Sequence, residues 1–173
     1  MTSPKNPLVA LETTLGTIKL ELFPQEAPVT VANFLEYVKE GFYDGLIFHR
    51  IISNAIVQAG GFTPGLEYRA PTRPPIINEA KNGLKNVRGT VAMARAYPIN
   101  SACTQFFINV VDNTRLDHHG DDPRDYGYAV FGQVVEGMFV VDQMTWIPTG
   151  RRGDLQNVPE TDIVILKARV LEE

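Results

Sequence analysis

The chain has little of what most catalytic machinery is built from. It has one cysteine and three histidines in 173 residues, and no HExxH, CxxC, GxSxG, P-loop or GxGxxG pattern occurs. The common signatures of zinc hydrolysis, Ser-dependent acyl transfer, phosphoryl transfer and dinucleotide binding are therefore missing. Cys103, alone, has no partner for an internal disulfide, and it reads as a small buried side chain in a reducing compartment. Basic residues are in slight deficit, 16 Lys and Arg against 20 Asp and Glu, a formal charge of −4 with a pI near 5.4. That balance gives no electrostatic reason to bind nucleic acid or an anionic membrane. No long apolar run is present, and the mean hydropathy of −0.09 predicts no transmembrane helix. Met1 to Pro7 is polar, with Pro4 and Pro7, and lacks the apolar stretch of an export signal. A cytosolic protein is the expectation, with the periplasm as the alternative if an upstream signal has been removed.

What is present is an ordinary globular composition, 44% hydrophobic and 21% charged, over a length that suits one domain spanning 1–173, its core about 8–172. Leu8–Thr13 and Thr17–Leu22 alternate apolar with polar residues around the Leu15-Gly16 break, which predicts a hairpin. Beyond Pro24 and Pro28, the positions Val31, Phe34, Leu35 and Val38 follow the i, i+3, i+4, i+7 rule of an amphipathic helix, and Gly41 stands where it would end. Further strands are predicted at Phe48–Ile52, Ile56–Gln58, Thr90–Ala94, Gln105–Val110, Ala129–Val134 and Ile163–Leu171, with a second short helix at Gly137–Met144. Gly65–Ile76, with three prolines, and the charge-dense Asp117–Tyr126 read as loops. Eight short strands and two helices point to a closed barrel with capped ends, since closure removes exposed strand edges. No repeat or linker divides the chain.

Two stretches carry hydrogen-bonding side chains among alternating apolar residues: Phe48-His49-Arg50-Ile51-Ile52 running on to Gln58, and Gln105-Phe106-Phe107-Ile108-Asn109. Alternation sets Phe48, Arg50 and Ile52 on one face and His49 and Ile51 on the other. Arg50 must either reach solvent or meet a partner, and a rim arginine paired with a carboxylate is the alternative to a functional one. Gln58 and Gln105 can each donate and accept at once, as a peptide backbone requires, although each could simply satisfy a neighbour. Phe106 and Phe107 face opposite ways, so one is core and the other can line a pocket. The histidines lack ligand spacing, and neither a metal nor a cofactor is expected.

With Ala27-Pro28-Val29, Gly41-Phe42-Tyr43, Gly89-Thr90-Val91-Ala92-Met93-Ala94 and Tyr128-Ala129-Val130-Phe131-Gly132, these motifs resemble those of the cyclophilin-type peptidyl-prolyl cis/trans isomerases, bacterial members above all. The likeness runs from about Val9 to Leu171. It implies a mainly β fold, a closed eight-stranded antiparallel barrel capped by two α-helices, with substrate in a surface groove. It implies that Arg50 is the catalytic residue, and that Gln58, Gln105, Phe107, Ile56, Ala55, Ala94, Arg95, Leu116 and Tyr128 bind substrate. Arg95 and Tyr128 stand where many eukaryotic members have Asn and His. The implied activity is rotation about X-Pro bonds in proline-containing peptides and unfolded or partly folded clients, by a monomer; a peptide-binding module with little catalysis is the alternative. A barrel carrying an apolar ligand inside is a further reading, which a hollow interior would favour.

Three departures stand out. Ser53-Asn54-Ala55-Ile56 replaces the family's Pro-Gly-Phe-Met, reducing a groove aromatic to a methyl and widening the proline pocket. Arg115 takes the place of a groove Trp or Phe, and the only tryptophan, Trp146, lies elsewhere, so weak cyclosporin-type binding is expected. Ala59-Gly60-Gly61 follows Gln58 where the family has Gly-Gly.

Overall fold

A computed structural model describes residues 5–171; most of the polar segment before Pro7, and residue 172 at the expected end of the core, lie outside them. Ten strands and two α-helices follow in the order β1 (Leu8–Thr13), β2 (Gly16–Leu22), α1 (Pro28–Lys39), β3 (Phe48–Ile52), β4 (Ile56–Ala59), β5 (Thr90–Met93), β6 (Phe106–Asn109), β7 (Val130–Glu136), α2 (Met138–Met144), β8 (Thr149–Arg152), β9 (Leu155–Pro159) and β10 (Ile165–Leu171). Two short 3-10 turns lie at Ala80–Asn82 and Thr114–Leu116.

Eight strands form one antiparallel sheet in the order β10-β1-β2-β7-β5-β6-β4-β3. The expected closed barrel is corrected to a curled sheet, because no ladder joins β3 to β10. They meet only at their ends, in an isolated bridge between Ile47 and Val164 with flanking backbone hydrogen bonds from Phe48 N to Ile163 O (2.9 Å) and from Ile165 N to Leu46 O (2.8 Å). The edge is managed in another way: β8 and β9 make a separate hairpin, and β9 lies against β3, covering a strand edge that would otherwise invite pairing. This hairpin was not expected, since Thr149-Gly150-Arg151-Arg152 has no buried residue and shows no apolar alternation.

α1 begins with Pro28 at its first turn and buries Val31, Phe34, Tyr37 and Val38. Its free N-terminal amides are met from a distance: the Glu79 carboxylate accepts from Val29 N (3.2 Å) and Thr30 N (2.7 Å), which also sets a negative charge at the positive end of the helix dipole. At the other end Gly41 takes φ 76°, with Phe42 N bonded to Tyr37 O and Gly41 N to Val38 O, the Schellman arrangement that glycine permits.

The concave side of the sheet is filled. Phe34, Tyr43, Phe106 and Phe131 are wholly buried, and Phe34 meets the other three rings at centroid distances of 5.1–5.4 Å. Such packing argues against a hollow carrier for an apolar ligand. Strand alternation sends Val57, Val91, Met93, Phe106 and Ile108 inward, and Ile56, Ala92, Phe107 and Val130 outward into a second, smaller apolar cluster.

Strict alternation fails in β3. Phe48 pairs with Ala59 and Arg50 with Gln58, so two residues of β3 pass against one of β4, a bulge at His49 that shifts the phase. Phe48 and Ile51 therefore share the core and Arg50 emerges on the outer face, in place of the expected grouping of Phe48 with Arg50.

Candidate functional site

The outward cluster is the floor of a surface groove of about 290 Å³. Its base is Phe107, 3% exposed, with Ile56 and Ala55 from β4 and the turn before it. Leu116, Tyr128 and Ala94 stand around the floor, and the Tyr128 ring meets Phe107 edge-on at 5.7 Å. Arg50, Gln58 and Arg95 complete the expected set on its walls, so nine of the ten expected residues line one cavity. The tenth, Gln105, lines an adjoining cavity of about 300 Å³ that shares Gln58, Ala94 and Arg95 with the first. Ile52 and Arg115 also face the groove.

A chain of polar groups runs along one wall. Arg50 Nη1 donates to Gln58 Oε1 (3.1 Å), and Gln58 Nε2 donates to Gln105 Oε1 (2.8 Å). Among the described residues no carboxylate pairs with Arg50, contrary to the rim ion pair considered above. Gly61 makes room for this relay, since a Cβ there would sit 2.5 Å from Gln105 Nε2. Behind Arg50, the His49 ring is buried against Phe62 at 4.7 Å, and its Nδ1 has no partner. Burial pushes this imidazole down to about 4, the Arg50 charge adds to the effect, and a hydrogen bond with Gln105 opposes it. His49 is therefore neutral near pH 7, and Arg50 carries the positive charge at this wall.

Arg95 lines the groove but spends its donors elsewhere. Nε donates to Gly127 O (3.0 Å), Nη1 to the carbonyls of Ala96 and Tyr97 (3.0 Å each), and Nη2 to Pro123 O (2.7 Å). The guanidinium also lies 5.0 Å from the Tyr128 ring centroid. It ties the segment after β5 to the Asp117–Tyr126 loop, and so shapes the groove from behind.

A layer beneath the floor escaped sequence reasoning. Asn109 Nδ2 donates to Asn86 Oδ1 (3.0 Å) and Thr90 Oγ1 (2.9 Å). Asn113 Nδ2 donates to Asn109 Oδ1 (2.8 Å) and Ala55 O (3.0 Å). Asn86 donates to the Leu116 and Tyr128 carbonyls (3.1 and 3.3 Å) and, from its backbone, to the buried Asp117 carboxylate (2.6 Å). Three groove residues, Ala55, Leu116 and Tyr128, are thereby held through their carbonyls by buried side chains. The signal was Asn109 at the end of an apolar strand, where a buried amide must find partners.

In the adjoining cavity, Cys103 is half-buried beside Ser101 and Thr104, and burial pushes its thiol up, away from the reactive thiolate.

Comparison with known proteins gives the family. A family model, cyclophilin type peptidyl-prolyl cis-trans isomerase/CLD, matches residues 8–170. Peptidyl-prolyl cis-trans isomerase B of Escherichia coli (strain K12) is 50% identical over 165 residues, 95% of this chain and 100% of that protein. Peptidyl-prolyl cis-trans isomerase cyp18 of Streptomyces antibioticus is 52% identical over 94% of this chain and 98% of its own. Among solved structures, a Cryptosporidium parvum cyclophilin type peptidyl-prolyl cis-trans isomerase, crystallised in the presence of the dipeptide Ala-Pro, superimposes with a TM-score of 0.78 at 26% identity, over 96% of this chain and 99% of that one. The chain belongs to the cyclophilin-type peptidyl-prolyl cis-trans isomerase family.

Proposed function

We propose that this protein accelerates cis/trans rotation about X-Pro bonds in peptides and partly folded chains, with Arg50 as its catalytic residue. The observation that carries the reading is a guanidinium that meets no carboxylate among the described residues, held by Gln58 at the rim of an apolar pocket floored by Phe107.

Rotation about an X-Pro bond faces a barrier of about 18–20 kcal/mol from amide resonance, while the end states differ by only about 0.5–1 kcal/mol. No bond breaks, so the chemistry asks for neither nucleophile nor cofactor. It asks for tighter binding of the twisted amide than of either planar form. As the amide twists, the imide nitrogen regains a lone pair, which can accept a hydrogen bond from Arg50 and which the planar form lacks. Phe107, Ile56 and Leu116 hold the pyrrolidine ring, and Gln58 and Gln105 hold the flanking backbone. About 7 kcal/mol of such preference gives roughly five orders of magnitude in rate. A single charge-assisted hydrogen bond is too weak for all of it, and water exclusion over the apolar floor supplies part.

Arg95 belongs in this scheme by shape, since its donors are occupied by backbone carbonyls. Ala55 leaves the pocket wider than an aromatic would, and Arg115, where relatives carry a ring, supports weak binding of cyclosporin-type ligands. The protein acts as a monomer in this proposal, on unfolded proline-containing clients.

Two-dimensional exchange NMR on an Ala-Pro peptide with catalytic amounts of protein tests the reading. Fast exchange is expected, and Arg50→Ala should lower it about 100- to 1,000-fold, the cost of removing one preorganised donor. The variant should unfold within about 0.5 kcal/mol of the parent, as expected for an exposed side chain. Tight peptide binding without faster exchange in the parent would favour the non-catalytic module.

A further inference from the structure

The groove carries charge of the sign opposite to the chain as a whole. Against a net charge of −4, its walls present Arg50, Arg95 and Arg115 and no Asp or Glu. Elsewhere guanidiniums are commonly neutralised: Arg73 meets Glu40 at 3.0 Å, Arg88 meets Asp142 at 2.7 Å, Arg152 meets Asp162 at 2.7 Å and Arg169 meets Glu12 at 2.8 Å. In the groove Arg50 has a neutral amide and Arg95 has carbonyls.

Arg115 stands apart even from these. It is exposed, on the 3-10 turn Thr114–Leu116, and among the described residues it has no ion pair or side-chain hydrogen bond. The carboxylates nearest in sequence are engaged elsewhere: Asp112 accepts from Arg88 N (2.8 Å), and buried Asp117 accepts from Asn86 N (2.6 Å). The backbone beneath it is held firmly, with Leu116 N on Asn113 O (2.9 Å) and Leu116 O accepting from Tyr128 N (3.0 Å). Leu116 itself packs on the groove floor. Arg115 is thus an exposed cation, unpaired among the described residues, on a braced turn beside a residue of the groove floor.

We infer that Arg115 selects substrates with a carboxylate side chain flanking the proline, so that acidic proline-containing segments are preferred. The inference rests on the isomerase reading of the same groove. Arg115 lines the main cavity, and the adjoining cavity beyond Gln105 is lined without it. The preference should therefore be confined to one side of the proline, the side whose flank passes over Arg115.

The test uses peptides with Glu or Lys on one side of the proline and then on the other, assayed by exchange NMR for kcat/KM and by titration for Kd. The ratio of Glu to Lys peptide within each enzyme is the readout. A ratio of about fivefold is expected on one side, the effect of a favourable exposed ion pair. It should approach one in Arg115→Gln, invert in Arg115→Glu, and collapse in 1 M salt, where the screening length is about 3 Å. A ratio near one in the parent on both sides, or a Glu preference unchanged in Arg115→Gln, would overturn the inference. Should no peptide be turned over, the isomerase reading fails, and the ratio of Kd values still decides the acid preference.

Discussion

The two faces of the β3-β4-β6-β5-β7 surface are made from the same strands by opposite rules. On the concave face, Phe106 joins Phe34, Tyr43 and Phe48 in a cluster of rings. On the convex face one residue later, Phe107 lies on a thin apolar floor ringed by Arg50, Gln58 and Arg95 and backed by the Asn86-Asn109-Asn113 network. Alternation thus separates stability from recognition within single strands. Apolar packing is non-directional and supplies the bulk of folding energy, whereas a groove that must hold a turning peptide needs walls fixed by directional bonds.

Truncating the inner ring should sharpen that contrast most. Phe106→Ala is expected to cost about 3–5 kcal/mol of stability by transfer and cavity terms, read by denaturant unfolding, with kcat/KM per folded molecule changed far less. A variant that kept its stability and lost its turnover would break the division between faces.

The amide layer lies between the two faces, and its removal should show in both readouts. Asn109→Ala takes a donor from Asn86 and Thr90 and an acceptor from Asn113. A loss of about 1–3 kcal/mol is expected from the buried groups left unpaired, together with a higher KM as Ala55 and Leu116 lose their anchors. A stability loss with KM unchanged would reduce the network to scaffolding.

His49, behind Arg50, gives a smaller effect with a definite sign. Its pKa is lowered from 6.5 to about 4 in the folded state, so the unfolded chain binds a proton more readily. The stability tied to the neutral imidazole is complete above about pH 6.5 and is lost as pH falls toward 4. Between pH 7 and 5 this amounts to about 2 kcal/mol, measurable as a falling denaturant midpoint. His49→Gln should flatten that slope, and an equal slope in the variant would place the titration elsewhere.

Much of this was legible beforehand because it depends on local pattern. The periods of Leu8–Thr13 and of Val31, Phe34 and Val38 predicted β1 and α1, and opposite facing of Phe106 and Phe107 follows from the pleat alone. Nine of the ten expected groove residues line one cavity, since motif order carried them. The hairpin Thr149–Pro159 was invisible because most of its residues are half-buried or exposed and show no period. The bulge at His49 was invisible because alternation assumes one residue opposite one.

The sequence by itself determined most of the elements and that Phe106 and Phe107 face opposite ways, because helix and strand periods are properties of neighbouring residues. Only the tertiary structure decided that the sheet curls without a closing ladder, that Arg50 leaves the core face, that Arg95 is consumed by the carbonyls of Gly127 and Pro123, and that asparagines far apart in sequence brace the groove. Each of these turns on which distant groups satisfy a buried or charged side chain, and the folded chain alone sets that pairing.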